Sequence, residues 1–218
     1  MKFVASVFSV KEFQAAVDEA ADMIEIRIDL VGEAEVSRLQ EMARESCITI
    51  IVTMRSLDEG GEFTGTPEMW YDSVLKWTDL ADFVDIERAY AQYAPSIKAG
   101  GAGIIASAHL KTMLPAESLN ALEDELRSFG EIPKIVVTPK TQDDLLTLLS
   151  FTLHARKPVC TGVMGSDFRY ARALLPLFGS HLAYCYVGTP TAGGQYHIND
   201  LRKITEMLNN ENREQESN

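Results

Sequence analysis

The chain has 218 residues, 46% of them hydrophobic and 24% charged, enough material for one large core arranged as one domain or at most two. Its net charge of −12 at pH 7 argues against a nucleic acid or an anionic membrane as partner, so an anionic ligand would need a local cluster of arginines. No apolar run reaches the roughly 18 residues of a membrane span. Residues 1–4 enter a strand-like run at once, without a signal-peptide pattern, and Cys47, Cys160 and Cys185 read as reduced, buried fillers of a cytoplasmic protein.

Apolar patterning predicts a strand over residues 3–7, then a helix over 10–21 in which Phe13, Ala16, Val17 and Ala20 recur at helical spacing. Strands follow at 23–28 and 48–54, with helices at 33–44 and 67–80; Pro67 suits a first helical turn. The fourth and fifth strands are expected at 83–86 and 103–107, with helices around 93–98 and over 115–129. The sixth lies in the stretch 131–140, with Lys134 directly before the β-branched run Ile135-Val136-Val137 between Pro133 and Pro139, and is followed by a helix over 142–155. Strands at 158–163 and 182–187, with helices at 168–178 and 198–208, complete the series. Eight strand-then-helix units in strict alternation imply a parallel sheet, and over this length they favour a closed (β/α)₈ barrel spanning 1–208. The absence of GxGxxG after the first strand speaks against an open nucleotide-binding sheet. A polar, frayed tail is expected over 209–218.

In such a barrel the reactive residues belong at the C-terminal ends of the strands. Lys134 lies inside the sixth strand, where an amine is costly unless paired or freed of its proton, and imine chemistry needs the free amine. Lys140, in the loop beyond, is a rival nucleophile but fits better as a solvated cation beside the next helix. In the second strand Glu25, Arg27 and Asp29 alternate with isoleucines, and period two places all three on one face. Asp85 and Glu87 repeat the pattern, with Arg88 as a ready partner for Glu87. Arg55 ends the third strand, and Glu59-Gly60-Gly61-Glu62 follows where a lid would lie. Of the four histidines only His109 falls at a strand's C-terminal end, which makes it the candidate general base. An arginine in the first turns of the helix after the seventh strand, Arg169 or Arg172, suits a bidentate carboxylate clamp, and the loop from Thr189 to Gln195 suits the oxygens of a small anion.

Taken together, these residues resemble type I 3-dehydroquinate dehydratase, the Schiff-base dehydratase of the shikimate pathway. The resemblance spans nearly the whole chain and rests on Glu25-Ile-Arg-Ile-Asp29, Arg55 with Glu59-Gly60-Gly61, Ser107-Ala-His109, Lys134-Ile-Val-Val, Met164-Gly165 with Arg172, and Gln195 with Asn199-Asp200-Leu201-Arg202. It implies that Lys134 forms an imine with the ketone, that His109 is the general acid and base, and that Glu59 orients the histidine. Arg172, Gln195 and Thr191 would hold the substrate carboxylate, and Glu25, Arg27 and Arg55 the ring hydroxyls. Three arginines around the site are expected to help free Lys134 of its proton. The family is a barrel, commonly a homodimer, and uses no metal or cofactor. Here Thr191 stands where serine is usual and Gly193 where proline is common, and an N-terminal hairpin capping the barrel is not expected. Another imine-forming barrel, such as a class I aldolase, would share Lys134 but cleave a carbon–carbon bond, and a silent carboxylate-binding barrel is the non-enzymatic alternative.

Overall fold

The computed structural model describes residues 1–209. Eight strands alternate with eight helices: β1 (Lys2–Val7), α1 (Val10–Asp18), β2 (Met23–Arg27), α2 (Glu33–Glu45), β3 (Thr49–Thr53), α3 (Pro67–Leu75), β4 (Phe83–Glu87) and α4 (Ala94–Ala99) make up the first half. The second half comprises β5 (Gly103–His109), α5 (Ala116–Arg127), β6 (Ile132–Val137), α6 (Gln142–His154), β7 (Cys160–Val163), α7 (Ala171–Leu174), β8 (Leu182–Cys185) and α8 (Ile198–Asn209). All paired strands are parallel, in the order β7-β6-β5-β4-β3-β2-β1-β8. This is the expected (β/α)₈ barrel. α8 runs to Asn209, and the rest of the expected tail lies outside the described residues.

Helix starts follow local chemistry. Ser9 and Thr66 cap α1 and α3 by accepting backbone N–H bonds, and Thr141 with Asp144 forms a capping box on α6. Several helices are shorter than their apolar patterns predict. α1 stops at Asp18, and Ala20 beyond it takes φ 51°. The predicted helix at 67–80 divides into α3 and a 3₁₀ turn, Thr78–Leu80. The one at 168–178 becomes α7 and a 3₁₀ turn, Leu175–Phe178, where Pro176 has no N–H to continue an α-helix. Cys160 and Cys185 are buried as expected, but Cys47 is exposed, at the end of the α2–β3 connection where no helix covers it.

The barrel interior is layered. Val4, Met23, Ile51, Ile105, Ile132, Cys160 and Leu182 form an apolar floor. Two residues further along the same strands stand Ser6, Glu25, Thr53, Ser107 and Lys134, and Asp85 follows Phe83 in the same way. Because strand side chains alternate, each of these lies one layer above the floor on the same inward face. Outside the strands, two larger apolar clusters hold the helices, one including Trp70, Ile104 and Leu148, the other Phe13, Ile24 and Leu39.

No ladder joins β7 to β8. Their seam is held by His181 N–H donating to Val159 O (2.7 Å) and by Ser180, whose Oγ accepts from Thr161 N–H at 3.0 Å. Ser180 is almost fully buried, so this hydroxyl substitutes for a ladder bond. Replacing it by alanine leaves a buried N–H unpaired, at a cost of about 1–3 kcal/mol. Ser180→Ala is therefore expected to lower the urea midpoint of unfolding, and an unchanged midpoint would show that the seam does not depend on this bond.

Candidate active site

The polar layer is tied together by short contacts. Asp85 accepts from Lys134 Nζ (2.9 Å), Arg55 Nη2 (2.8 Å) and Ser107 Oγ (2.5 Å). Glu25 accepts from Ser6 Oγ (2.6 Å) and Thr53 Oγ1 (2.8 Å), and its Oε1 lies 3.7 Å from Lys134 Nζ. Arg55, just beyond β3, also donates from Nη1 to Glu87, Ser107 and Glu59. Glu87 takes the Ser56 hydroxyl and N–H as well, whereas Arg88 pairs outside the barrel with Glu125. The expected Glu87–Arg88 pair is thus replaced by a buried one, because β4 turns Glu87 inward and leaves Arg88 on the outside.

Lys134 is 4% exposed and sits mid-strand, opposite Ser107 on β5 and Cys160 on β7. Its amine lies among carboxylates, not among the arginines expected around it. Burial opposes the charge on Arg55, but Asp85, Glu87 and Glu59 outweigh it and raise the guanidinium further. Burial likewise works against Asp85, yet Arg55 and Lys134 hold its carboxyl far below the usual range. Lys140 is exposed, its N–H bonded to Asp144 at the start of α6.

His109 ends β5. Its Nδ1 lies 2.9 Å from Glu59 Oε2, and its backbone N–H donates to the same oxygen at 3.0 Å. Engagement of Nδ1 by Glu59 leaves Nε2 as the ring nitrogen available to a ligand. Burial, reinforced by Arg55 and Lys134, lowers the imidazole well below its ordinary value, so it is neutral at pH 7. Burial raises the Glu59 carboxyl to about 8; Arg55 opposes the rise, and Glu87 and Asp85 add to it. The loop carrying Glu59 folds tightly against β3: a side chain on Gly61 would meet Arg55 O at 2.2 Å.

Asp29 lies past the end of β2 rather than on its inward face, and it takes both Arg27 Nε (3.0 Å) and Nη2 (2.8 Å). Across the barrel mouth, Arg172 in α7 donates from Nη2 to Gly193 O at 3.1 Å. Among the described residues its buried Nε has no hydrogen-bond partner. Burial, with Arg169 nearby, pulls the Arg172 guanidinium down to about 10. Gln195 Oε1 accepts the N–H groups of Thr191 (2.9 Å) and Ala192 (3.2 Å), and so shapes the β8–α8 loop. A cavity of about 140 Å³ is lined by Glu25, Arg27, Arg55, Glu59, His109, Lys134, Arg172, Thr191 and Gln195, and also by Ser6, Cys160 and Tyr184. All nine candidate residues therefore meet in one space. The structure adds Ser6, Thr53 and Tyr184 to the site, and the first two carry a signal readable in sequence: a small polar residue two places after an inward apolar one.

A family model described as Type I 3-dehydroquinase matches residues 6–212. The chain belongs to this family. A 3-dehydroquinate dehydratase of Methanoregula boonei is 45% identical over 95% of this chain and 100% of its own length. Another from Methanospirillum hungatei is 35% identical over 95% of this chain and 81% of its own. Among solved structures, the 3-dehydroquinate dehydratase of Geobacillus kaustophilus superposes with a TM-score of 0.86 at 23% identity, covering 97% of this chain and 92% of that one, and shows the same fold.

The raised Glu59 carboxyl makes the stability of the fold depend on pH. A carboxyl raised on folding, here from 4.5 to about 8, stabilises the fold fully below the lower value and loses that contribution as pH rises through the higher. Glu59→Gln cannot ionise, so its stability relative to the wild type is expected to rise between about pH 5 and about pH 9 in paired denaturation curves. A constant or falling difference would mean that Glu59 is already ionised in the fold at low pH.

Proposed function

We propose that this chain removes water from 3-dehydroquinate to give 3-dehydroshikimate, through a Schiff base on Lys134 with His109 as general acid and base. The reaction class, a hydro-lyase, follows from membership of the family. The residue roles rest on one observation: a buried amine and a neutral imidazole line the same small cavity, with a partnerless arginine Nε at its rim.

Each group then has a task. The substrate carboxylate supplies the partner that Arg172 Nε lacks, with Thr191 and Gln195 framing the loop beside it. Glu25, Arg27 and Arg55 face the ring hydroxyls. Lys134 Nζ adds as the free amine to the ketone carbon, the carbonyl π pair moves to oxygen, and one amine proton follows it to give the carbinolamine. Loss of that hydroxyl as water, with one proton from solvent, leaves a protonated imine. Asp85 and Glu25, which flank the amine, stabilise the positive charge that remains on the same nitrogen. That is a better reason for carboxylates here than for arginines.

The imine withdraws electrons from the neighbouring carbon, and His109 Nε2 removes its proton to form an enamine. The enamine pair expels the β-hydroxyl, which takes the same proton back from the imidazolium and leaves as water. Hydrolysis of the conjugated imine consumes one water, frees the solvent-derived proton, and returns the amine. The net change is the loss of one water.

Lys134→Ala is expected to fold normally and to lose more than about 10³-fold in kcat, followed by the ultraviolet absorbance of the conjugated product. Full activity would move the chemistry to Lys140 or elsewhere. His109→Ala should still give a borohydride-trapped adduct on mass spectrometry while turnover falls about 10²–10⁴-fold. Loss of both together would give the histidine a role before elimination, and release of a smaller carbonyl fragment would indicate an aldolase.

A further inference from the structure

Tyr184 lines the same cavity but has no task in the steps above. It stands on the inward face of β8, paired in register with Val4, and the Lys134 amine lies 3.8 Å from the centroid of its ring. Its hydroxyl is buried without a hydrogen-bond partner. Among the described residues only two other side-chain polar atoms share that condition, Glu19 Oε2 outside the cavity and Arg172 Nε at its rim. An orphaned buried hydroxyl costs about 1–3 kcal/mol that phenylalanine in the same place would avoid. Sites that give up stability in this way are most often functional. Burial raises the phenol well above its ordinary value, with Glu25 nearby adding to the rise, so the group remains a neutral O–H donor.

The geometry limits what the donor can reach. The phenol oxygen lies one ring radius and one C–O bond from the centroid above which Nζ sits. An oxygen on the carbon that bonds Nζ falls within hydrogen-bond reach of it. We propose that Tyr184 is a further catalytic residue of the covalent step: its ring face seats the Lys134 amine, and its hydroxyl donates a hydrogen bond to the ketone oxygen while the C–N bond forms. This rests on the Schiff-base reading above. Tyr184 keeps its proton throughout; charge gathers on the ketone oxygen as the π pair arrives, and the amine proton then neutralises it. A donor aimed at developing charge accelerates the step that produces the charge.

The test is the rate at which 3-dehydroquinate and borohydride convert the intact protein to its reduced adduct in a single turnover. Tyr184→Phe keeps the ring and removes the hydroxyl. It should slow adduct formation by about 10²-fold, the usual effect of removing one such donor, with a melting temperature equal to or above that of the wild type. Trapping at the wild-type rate would overturn the proposal, and so would slower trapping that merely accompanies a lower melting temperature. A wild-type protein that gives no adduct would overturn the Schiff-base reading and this inference with it. A wild-type adduct together with an unslowed Tyr184→Phe would overturn this inference alone.

Discussion

Asp85 is the fixed point of the barrel's interior. It is essentially sealed from solvent, and it bridges two buried basic side chains, Lys134 on one side and Arg55 on the other. Placing a charged group in a protein interior costs several kcal/mol, and only close pairing offsets that cost. The pairing is met here by contacts of 2.9 and 2.8 Å, with Ser107 filling a further lone pair. The apolar floor of Val4, Ile51, Ile105 and Ile132 excludes water from below, which strengthens each of these attractions. The Lys134 amine is held at one depth in the barrel because the carboxylate it donates to is.

The same layer pushes two touching groups in opposite directions. His109 is driven below its ordinary value and Glu59 above its own, although they lie 2.9 Å apart. The cause is shared, since burial disfavours charge on either. Arg55 and Lys134 deepen the fall of His109 by repelling an imidazolium, whereas on Glu59 Arg55 attracts the carboxylate and opposes the rise, which Glu87 and Asp85 reinforce. The outcome is an uncharged imidazole hydrogen-bonded to a carboxyl raised to about 8. Pairs of titratable groups separated by their surroundings are the usual basis of acid and base roles on one fold.

Much of this was legible along the chain, for reasons that have limits. The eight strand–helix units could be counted because apolar period and chain length leave few alternatives, and Lys134 and His109 stood out as polar residues where strands run or end. Partner choice could not be read in this way. Glu87 next to Arg88 is a plausible pair until β4 turns one inward and the other outward. Asp29 keeps the period of Glu25 and Arg27, yet β2 ends before it, and it serves the arginine from outside the strand. Tyr184 sits in an apolar run where an aromatic residue is ordinarily core; only its ring beneath an amine and its partnerless hydroxyl set it apart. The seam held by Ser180 is invisible to periodicity, because a hydroxyl replacing a ladder bond leaves no pattern in sequence.

In the proposed reaction one buried amine, paired with Asp85, bonds to a ketone whose carboxylate is held across the cavity by Arg172. A crystal structure of the protein frozen after reduction with 3-dehydroquinate and borohydride tests it most directly. Continuous density is expected from Lys134 Nζ to the ligand ring, with a ligand carboxylate oxygen within hydrogen-bond distance of Arg172 Nε. Density joined to another lysine, or a carboxylate lying away from Arg172, would contradict it.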